Sequence, residues 1–496
     1  MNALLHMVSA EAALVGALIT PLIGLVFISL LDRSPDAREA STLATGLITL
    51  LFVATIFVAV GEGARPSLTL FEMLPGLSVS FSVEPLGALF GLIASGLWLV
   101  NSVYSIGYMR GNNEKAQTRF YMSFAIAITA ALGIAYSGNL LTFFLFYETL
   151  TISTFPLVSH KRDEKARAGG RIYIGILMGT SIGLLLPAII CTYWLTGTTD
   201  FVLGGIIAEH VRPTSAWTAI LLCLFAYGTA KAALMPTHPW LPNAMVAPTP
   251  VSAFLHAVAV VKAGVFGIMK ISLYTFGAQT LQGTIASDII LYIAAASILI
   301  ASAIAMTQDN LKARLAYSTV SQLSYITLGA MLANRLGIIG GSTQIAAHAL
   351  GKMTLFMCAG AIYTAAHKSL VSEMRGLARV MPYTFIAYII GACSIIGLPP
   401  MAGSWPKFFL MLGSVDRGEL ILLVVLIISS LMNIVYLMAP AVRGFMDPPP
   451  ESQGTEIAEA PAFCLVPAWT TAIGTIILFL LMGDLVRYLE PLVAGL

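Results

Sequence analysis

The sequence predicts an all-α integral membrane protein of about fourteen transmembrane helices, arranged as two inverted five-helix repeats with helices 7 and 12 broken. Three observations carry this reading. First, charged residues make up only 10% of the 496 residues, against 58% for AVILMFWYC, and the mean hydropathy is +0.87. A soluble domain needs about 25% charged residues to cover its surface, so lipid must be the solvent over most of this chain. Second, the chain is a succession of apolar runs, each near the roughly 20 residues needed to cross a bilayer. Third, two of these runs overshoot that length, and both hold proline clusters.

The runs lie near 8–31, 41–60, 84–108, 120–137, 139–158, 171–195 and 216–246, then near 249–274, 286–306, 311–333, 337–366, 382–413, 419–441 and 462–482. No short apolar core with a small-residue cleavage site marks the N-terminus, so Val8 to Leu31 reads as a retained helix. The overlong seventh run contains Pro236, Pro239 and Pro242, and the twelfth contains Pro399 and Pro400. Proline removes a backbone donor and clashes with the preceding turn, which predicts a break in each. Backbone groups freed at membrane depth must face protein or a polar cavity.

The two broken spans are five apart, an odd number, so they run in opposite directions. That is the pattern of an inverted-topology repeat. The expected organisation is a three-helix segment at 1–119, a first repeat (helices 4–8) at 120–274, a second (helices 9–13) at 275–445, and an acidic loop with helix 14 at 446–496. The loop Asp447–Pro461 is acidic and proline-rich and reads as a solvated connector. Lys and Arg number 16 in loops after odd-numbered spans and 6 after even-numbered ones. The positive-inside rule therefore predicts a multi-pass protein of the cell (inner) membrane with both termini on the outer, periplasmic side.

The formal net charge of +2 gives no field suited to nucleic acid. Cys191, Cys223, Cys358, Cys393 and Cys464 are scattered through apolar runs without CxxC or Cys/His spacing, which argues against iron–sulfur, zinc and disulfide frameworks. No cofactor or metal is expected, and no catalytic site.

The informative residues are ionisable groups deep in the runs: Glu148 in span 5, Lys231 in span 7, His256 and Lys262 in span 8, His348 and Lys352 in span 11, and Lys407 in span 12. Burying such a charge costs a few kcal/mol on the mildest scale. Four lysines face one carboxylate, so one pair can neutralise itself, most naturally Glu148 with one lysine. An ammonium taken out of water without a counter-ion gives up its proton more readily, which makes such lysines proton carriers. The histidines titrate near neutrality as well. The bland alternative is that each deep lysine is glue, bonded to carbonyls of a broken helix, and that the histidines only tie neighbouring helices. His348 and Lys352, four apart, share one helix face. His256 and Lys262 are six apart, about 120° from stacking on an ideal helix. Lys270, Glu84 and Asp288 sit at span ends, where Lys270 can snorkel to the interface. Tyr147, Ser321 and Tyr325 read as packing or water-coordinating residues.

Three motifs carry a resemblance. The run Leu241-Pro-Asn-Ala-Met-Val-Ala-Pro-Thr-Pro-Val-Ser-Ala-Phe-Leu-His256 resembles the signature of the antiporter-like subunits of respiratory complex I and the Mrp cation/proton antiporters. So do Leu315-Ala-Tyr-Ser-Thr-Val-Ser-Gln-Leu-Ser-Tyr325 and Gly397-Leu-Pro-Pro-Met-Ala-Gly403 followed by Lys407. The resemblance runs from about Glu84 to Phe445. It implies fourteen helices with inverted repeats and broken helices 7 and 12. It implies that Glu148 and Lys231 pair, that Lys262 is the helix 8 lysine, and that Lys407 is the terminal residue of helix 12. His256 and the His348/Lys352 face match the connecting relay. Length and Lys407 point to a D-type Mrp protein, while Thr249–Ala257 with Val261-Lys-Ala-Gly264 looks more like the large Mrp subunit. The implied partners are other membrane subunits of an Mrp-like or complex I-like assembly, the bilayer, protons and sodium.

These expectations add up to a proton-translocating subunit. Closing the Glu148–Lys231 pair would hold Lys231 charged, and opening it would release its proton through His256 and Lys262 toward His348, Lys352 and Lys407. Lys407 would exchange with the outside. A stand-alone solute transporter is the first rival, but its broken helices would be expected to carry acidic or aromatic substrate contacts rather than lysines. A membrane oxidoreductase would need a haem-type histidine pair or a nucleotide fingerprint. A structural scaffold would tolerate loss of all four deep lysines.

Overall fold

The computed structural model describes residues 8–449 and 456–496, with the backbone alone at His256. Part of the acidic connector therefore lies outside the described residues. The helices follow the predicted runs: α1 Ala10–Leu30, α2 Pro35–Gly61, α3 Pro85–Gly111, α4 Gln117–Ala135, α5 Leu140–Val158 and α6 Glu164–Thr196. Then come α7 Ala216–Gly228, α8 Thr249–Phe276, α9 Ile285–Thr307, α10 Leu311–Leu332 and α11 Arg335–Ala366. The last spans are α12a Pro382–Ile396 with α12b Ser404–Asp416, α13 Leu420–Met446 and α14 Ala462–Leu480. Among the described residues, eleven of these are long and apolar enough to cross a membrane. α7 and α12 are cut short by their breaks. α10 is long enough, but Lys312, Arg314, Ser318, Ser321, Gln322 and Ser324 make it the most polar of the spans by sequence.

Both predicted breaks are present. α7 ends at Gly228, a tight turn spans Ala230–Ala232, and Ala233 takes a left-handed φ of 54°. The prolines that follow keep the chain irregular up to a one-turn helix at Trp240–Asn243. The expected break is thus a long unwound stretch, and most of the second limb is not helical. α12a stops at Ile396, where Gly397 at φ 93° closes the helix, and α12b begins past Pro399 and Pro400.

A third interruption has no proline at it. Val258 in α8 leaves the helical region with φ −127°, and the amides of Val258 and Ala259 both donate to the Phe254 carbonyl. The ideal-helix angle between His256 and Lys262 therefore does not hold, because the helix is interrupted between them.

One element is absent from the all-α expectation. Strands β1 (Ser67–Leu74) and β2 (Leu77–Ser82) form an antiparallel hairpin between α2 and α3. The alternation Leu-Ser-Val-Ser-Phe-Ser after Pro75-Gly76 is a hairpin signal, and Gly76 supplies the left-handed φ of 75°. Asn139, the N-cap of α5, pins the hairpin by donating to the Ser78 carbonyl at 2.7 Å and the Ser80 hydroxyl at 2.9 Å.

α8 and α11 form the centre. Every described side chain of α8 is buried, and so is nearly all of α11. α6, α13 and α14 present most of their surface outward. On the face that carries the basic loops, Arg110 bridges Asp36 and Glu39 on α2. His160, just past α5, is buried against the edge of Phe120 at 5.8 Å. Burial, and then the neighbouring Arg119 guanidinium, push its imidazole from 6.5 down to about 4. The unfolded chain therefore takes up this proton first. This rim loses stability as pH falls from 6.5 through about 4, and His160 contributes no slope above that window. Thermal midpoints of the detergent-solubilised protein should fall with acid over this range, and His160→Asn should flatten that slope. An unchanged slope in the variant would refute the assignment.

Candidate functional site

Lys231 lies in the turn directly after α7 and is completely buried. Its ammonium donates to the Tyr147 carbonyl at 2.8 Å and to the Thr151 hydroxyl at 2.7 Å, and stands 3.1 Å from the Tyr147 ring centroid. The Tyr147 hydroxyl in turn accepts from the Lys231 amide at 3.1 Å. Tyr147 and Thr151 are four apart and share one face of α5. Glu148 is rotated about 100° from Tyr147 on that helix. It is half-buried, and neither carboxylate oxygen has a hydrogen-bond partner among the described residues. The expected Glu148–Lys231 pair is therefore open: the lysine is turned to the backbone and hydroxyls of α5, and no ion pair joins it to Glu148 among the described residues.

Just past the interruption in α8, the Lys262 Nζ meets His348 Nδ1 of α11 at 2.5 Å. His348 Nε2 has no partner among the described residues. Lys352 lies one turn along α11 and donates to the Ser318 hydroxyl of α10 at 2.7 Å. Ser318 also accepts from the Tyr436 hydroxyl of α13 at 3.0 Å, which contacts Asn433 as well. Lys407 on α12b reaches back across the break. It donates to the Ile396 carbonyl at 2.8 Å and to the Ser430 hydroxyl at 3.2 Å, with the Tyr325 ring centroid 5.1 Å away. Ile396 is the last residue of α12a, so the ammonium sits at the negative end of that helix. The side chain of His256 lies outside the described residues.

Further hydroxyls and amides, of which the sequence reading singled out Ser321 alone, are buried in the same bundle. Ser302 meets Ser321 at 3.0 Å and Ser429 at 3.4 Å, and Gln344 donates to Gln322 at 2.9 Å. Such residues are common in any membrane bundle, so the sequence alone does not set them apart. The imbalance read from sequence persists. Lys231, Lys262, Lys352 and Lys407 are each at most 4% exposed, and no carboxylate lies within ion-pair distance of them among the described residues. An ammonium held only by carbonyls and hydroxyls keeps its hydrogen bonds when it loses a proton, because a neutral amine still donates.

Lys270 differs from its expected place. It is 1% exposed and pairs with Glu84 at 3.0 Å, while donating to the Ser137 carbonyl at 2.7 Å. Lys270 therefore does not snorkel outward: it is buried near the end of α8 and pairs with Glu84 at the start of α3. Asp288 is at a span end, as expected, where it pairs with Arg417.

Comparisons with known proteins agree with this architecture. Residues 137–433, more than half of the chain, match the family described as NADH:quinone oxidoreductase/Mrp antiporter, TM. The chain is 30% identical over 437 residues to NADH-quinone oxidoreductase subunit N of Desulforudis audaxviator, covering 84% of this chain and 86% of that one. It is 31% identical to NAD(P)H-quinone oxidoreductase subunit 5 of the Paulinella chromatophora chromatophore, covering 78% of this chain but only 60% of the relative's length. Among solved structures, the Mrp complex from Dietzia sp. superposes with a TM-score of 0.86 at 21% identity, covering 98% of this chain and 97% of that one. A chain of the archaeal membrane-bound sulfane sulfur reductase gives the same TM-score and identity, with 97% of each covered. At that identity the two structures speak for the fold alone. The quinone oxidoreductase relatives and the family match go further: this is a multi-pass integral membrane protein, and it belongs to the NADH:quinone oxidoreductase/Mrp antiporter transmembrane family.

Proposed function

We propose that the chain is a proton-translocating subunit of a larger membrane complex, with Glu148, Lys231, His256, Lys262, His348, Lys352 and Lys407 as its central path. The observation that carries this is the Lys262–His348 contact. Two nitrogen groups 2.5 Å apart cannot both present a proton to each other. One must accept, so a single proton lies between the two facing nitrogens and either side can own it. The pair stands between the two most enclosed spans, and among the described residues no carboxylate fixes it as a salt bridge. From there Lys352, Ser318 and the Ser302/Ser321/Ser429 cluster lead toward Lys407.

The break positions support two inverted repeats at 120–274 and 275–445, flanked by the segment 1–119 and by the loop and last helix at 446–496. The asymmetry of Lys and Arg between loops supports an orientation with the basic face in the cytoplasm and both termini outside. The sequence relatives favour a quinone oxidoreductase-type assembly as the partner complex, and the shared fold is equally that of an Mrp subunit. Co-purification of the native complex separates these.

The test uses membrane vesicles that carry the native complex, with proton movement read by a pH-sensitive dye. Lys262→Met, close in volume and without a proton to give, should lower the transport rate at least about tenfold. Wild-type rates in both Lys262→Met and His348→Leu would sink the proposal.

A further inference from the structure

The central path does not use the Glu84–Lys270 pair, and its setting is not that of a simple anchor. Lys262, Phe266 and Lys270 follow one another at four-residue intervals on α8, so they form one ridge. Phe266, fully buried, packs on Phe90 of α3 with ring centroids 5.0 Å apart and planes tilted by 35°, and its ring centroid is 5.5 Å from the Lys270 Nζ. A two-ring apolar barrier thus separates Lys262 from Lys270. Beyond it, Lys270 stands 1% exposed while the Glu84 side chain is 10% exposed, so Glu84 is the more exposed of the two charges, with its Oε1 buried against Lys270.

Glu84 is the residue before α3, and its carboxylate folds back over the first turn of that helix. A Cβ at Gly87 would lie 3.2 Å from both of its oxygens. One turn further along α3, at Gly91, the Tyr136 hydroxyl lies against the backbone. It is fully buried and has no hydrogen-bond partner among the described residues. A buried hydroxyl left open beside a charged pair is a natural seat for a bridging water. Glu84, Tyr136 and the two rings therefore line one strip of α3 that leads from the surface to the barrier.

We propose that Glu84 is a residue through which the proton path meets water at the outer face, separate from Lys407, with Lys270 as its positioning residue and Phe266–Phe90 as the barrier. This rests on the proton-translocating reading above. A proton that passes the barrier is taken up by the Glu84 carboxylate, forming an O–H bond. That bond breaks when the acid gives the proton to outside water, which restores the carboxylate. Lys270 stays an ammonium throughout, and its fixed charge returns the carboxylate to its ionised state and place.

Vesicles carrying the native complex test this, with assembly checked by the yield of co-purified subunits. Glu84→Gln can still accept the bond from Lys270, so the complex should assemble, yet transport should fall at least about tenfold. Glu84→Asp should restore transport with a shifted dependence on outside pH, and Lys270→Arg should retain transport because it keeps the charge. Phe266→Ala should raise the passive proton leak several-fold in otherwise assembled complexes. Wild-type transport in Glu84→Gln, alongside loss in Lys262→Met, would overturn this proposal and leave the central path standing. An unchanged leak in Phe266→Ala would overturn it as well, even if the Glu84 variants failed to assemble. Wild-type transport in both Lys262→Met and His348→Leu would instead bring down the central path itself.

Discussion

Lys231→Arg is expected to assemble and to transport protons at least about tenfold more slowly than the native protein, as slowly as Lys231→Met. The argument rests on what each side chain can do in the same hole. Lys231 is held by the Tyr147 carbonyl, the Thr151 hydroxyl and the Tyr147 ring. Methionine fills a similar volume and donates nothing. It strands no acceptor, because the Thr151 hydroxyl still donates to the Tyr147 carbonyl at 3.2 Å. Arginine keeps the positive charge and the stacking on the ring, but it does not deprotonate in proteins. If Lys231 were glue, arginine would serve and methionine would not. If it is a proton station, both fail alike. Dye-monitored transport in vesicles, normalised to assembled complex, decides this. Near-native rates for the arginine variant would remove Lys231 from the path. Glu148→Gln should weaken transport too, since the open carboxylate then loses the charge that attracts the Lys231 ammonium across the gap.

Gly264→Val is expected to lower the yield of folded complex severely, a larger structural effect than removing any single deep charge. Gly264 of α8 lies directly on the broken stretch of span 7: a Cβ there would overlap the Lys231 carbonyl carbon and the Ala232 amide nitrogen. Both are backbone atoms, so no side chain can swing aside. Overpacking of this kind costs roughly 1–3 kcal/mol, or more where the neighbour cannot give. The displaced piece is the turn that presents Lys231, so any complex that does assemble should also transport poorly. Gly264→Ala should show a milder form of both effects. Gly175→Ala and Gly179→Ala on the outward face of α6 meet open space and should leave yield and thermal midpoint unchanged. Equal yields for Gly264→Val and Gly179→Ala would show that the close contact between α8 and the break is not tight.

Much of the fold was legible because its signals are local. An apolar run longer than a soluble core needs declares a membrane span wherever it stands, and a proline declares its own break. The interruption at Val258 has no such signature, since neither proline nor glycine stands at it. The hairpin at 67–82 did have a local signal, the alternation around Pro75-Gly76, which the surrounding apolar runs outweighed. Reading Lys270 as a snorkelling residue failed for a related reason. Distance from a span end predicts exposure only when nothing covers the end, and here the start of α3 does.

Residue order alone was enough to establish a membrane protein of about fourteen spans, breaks in spans 7 and 12, and four lysines at depth against too few carboxylates. Those facts follow from the transfer energies and backbone limits of single residues. Which group each lysine faces was settled by packing. The rotation of α5 turns Tyr147 and Thr151, not Glu148, toward Lys231, and the packing of α8 on α11 sets Lys262 against His348. Helix rotation is fixed by many weak contacts summed over both partners, so no stretch of sequence carries it alone.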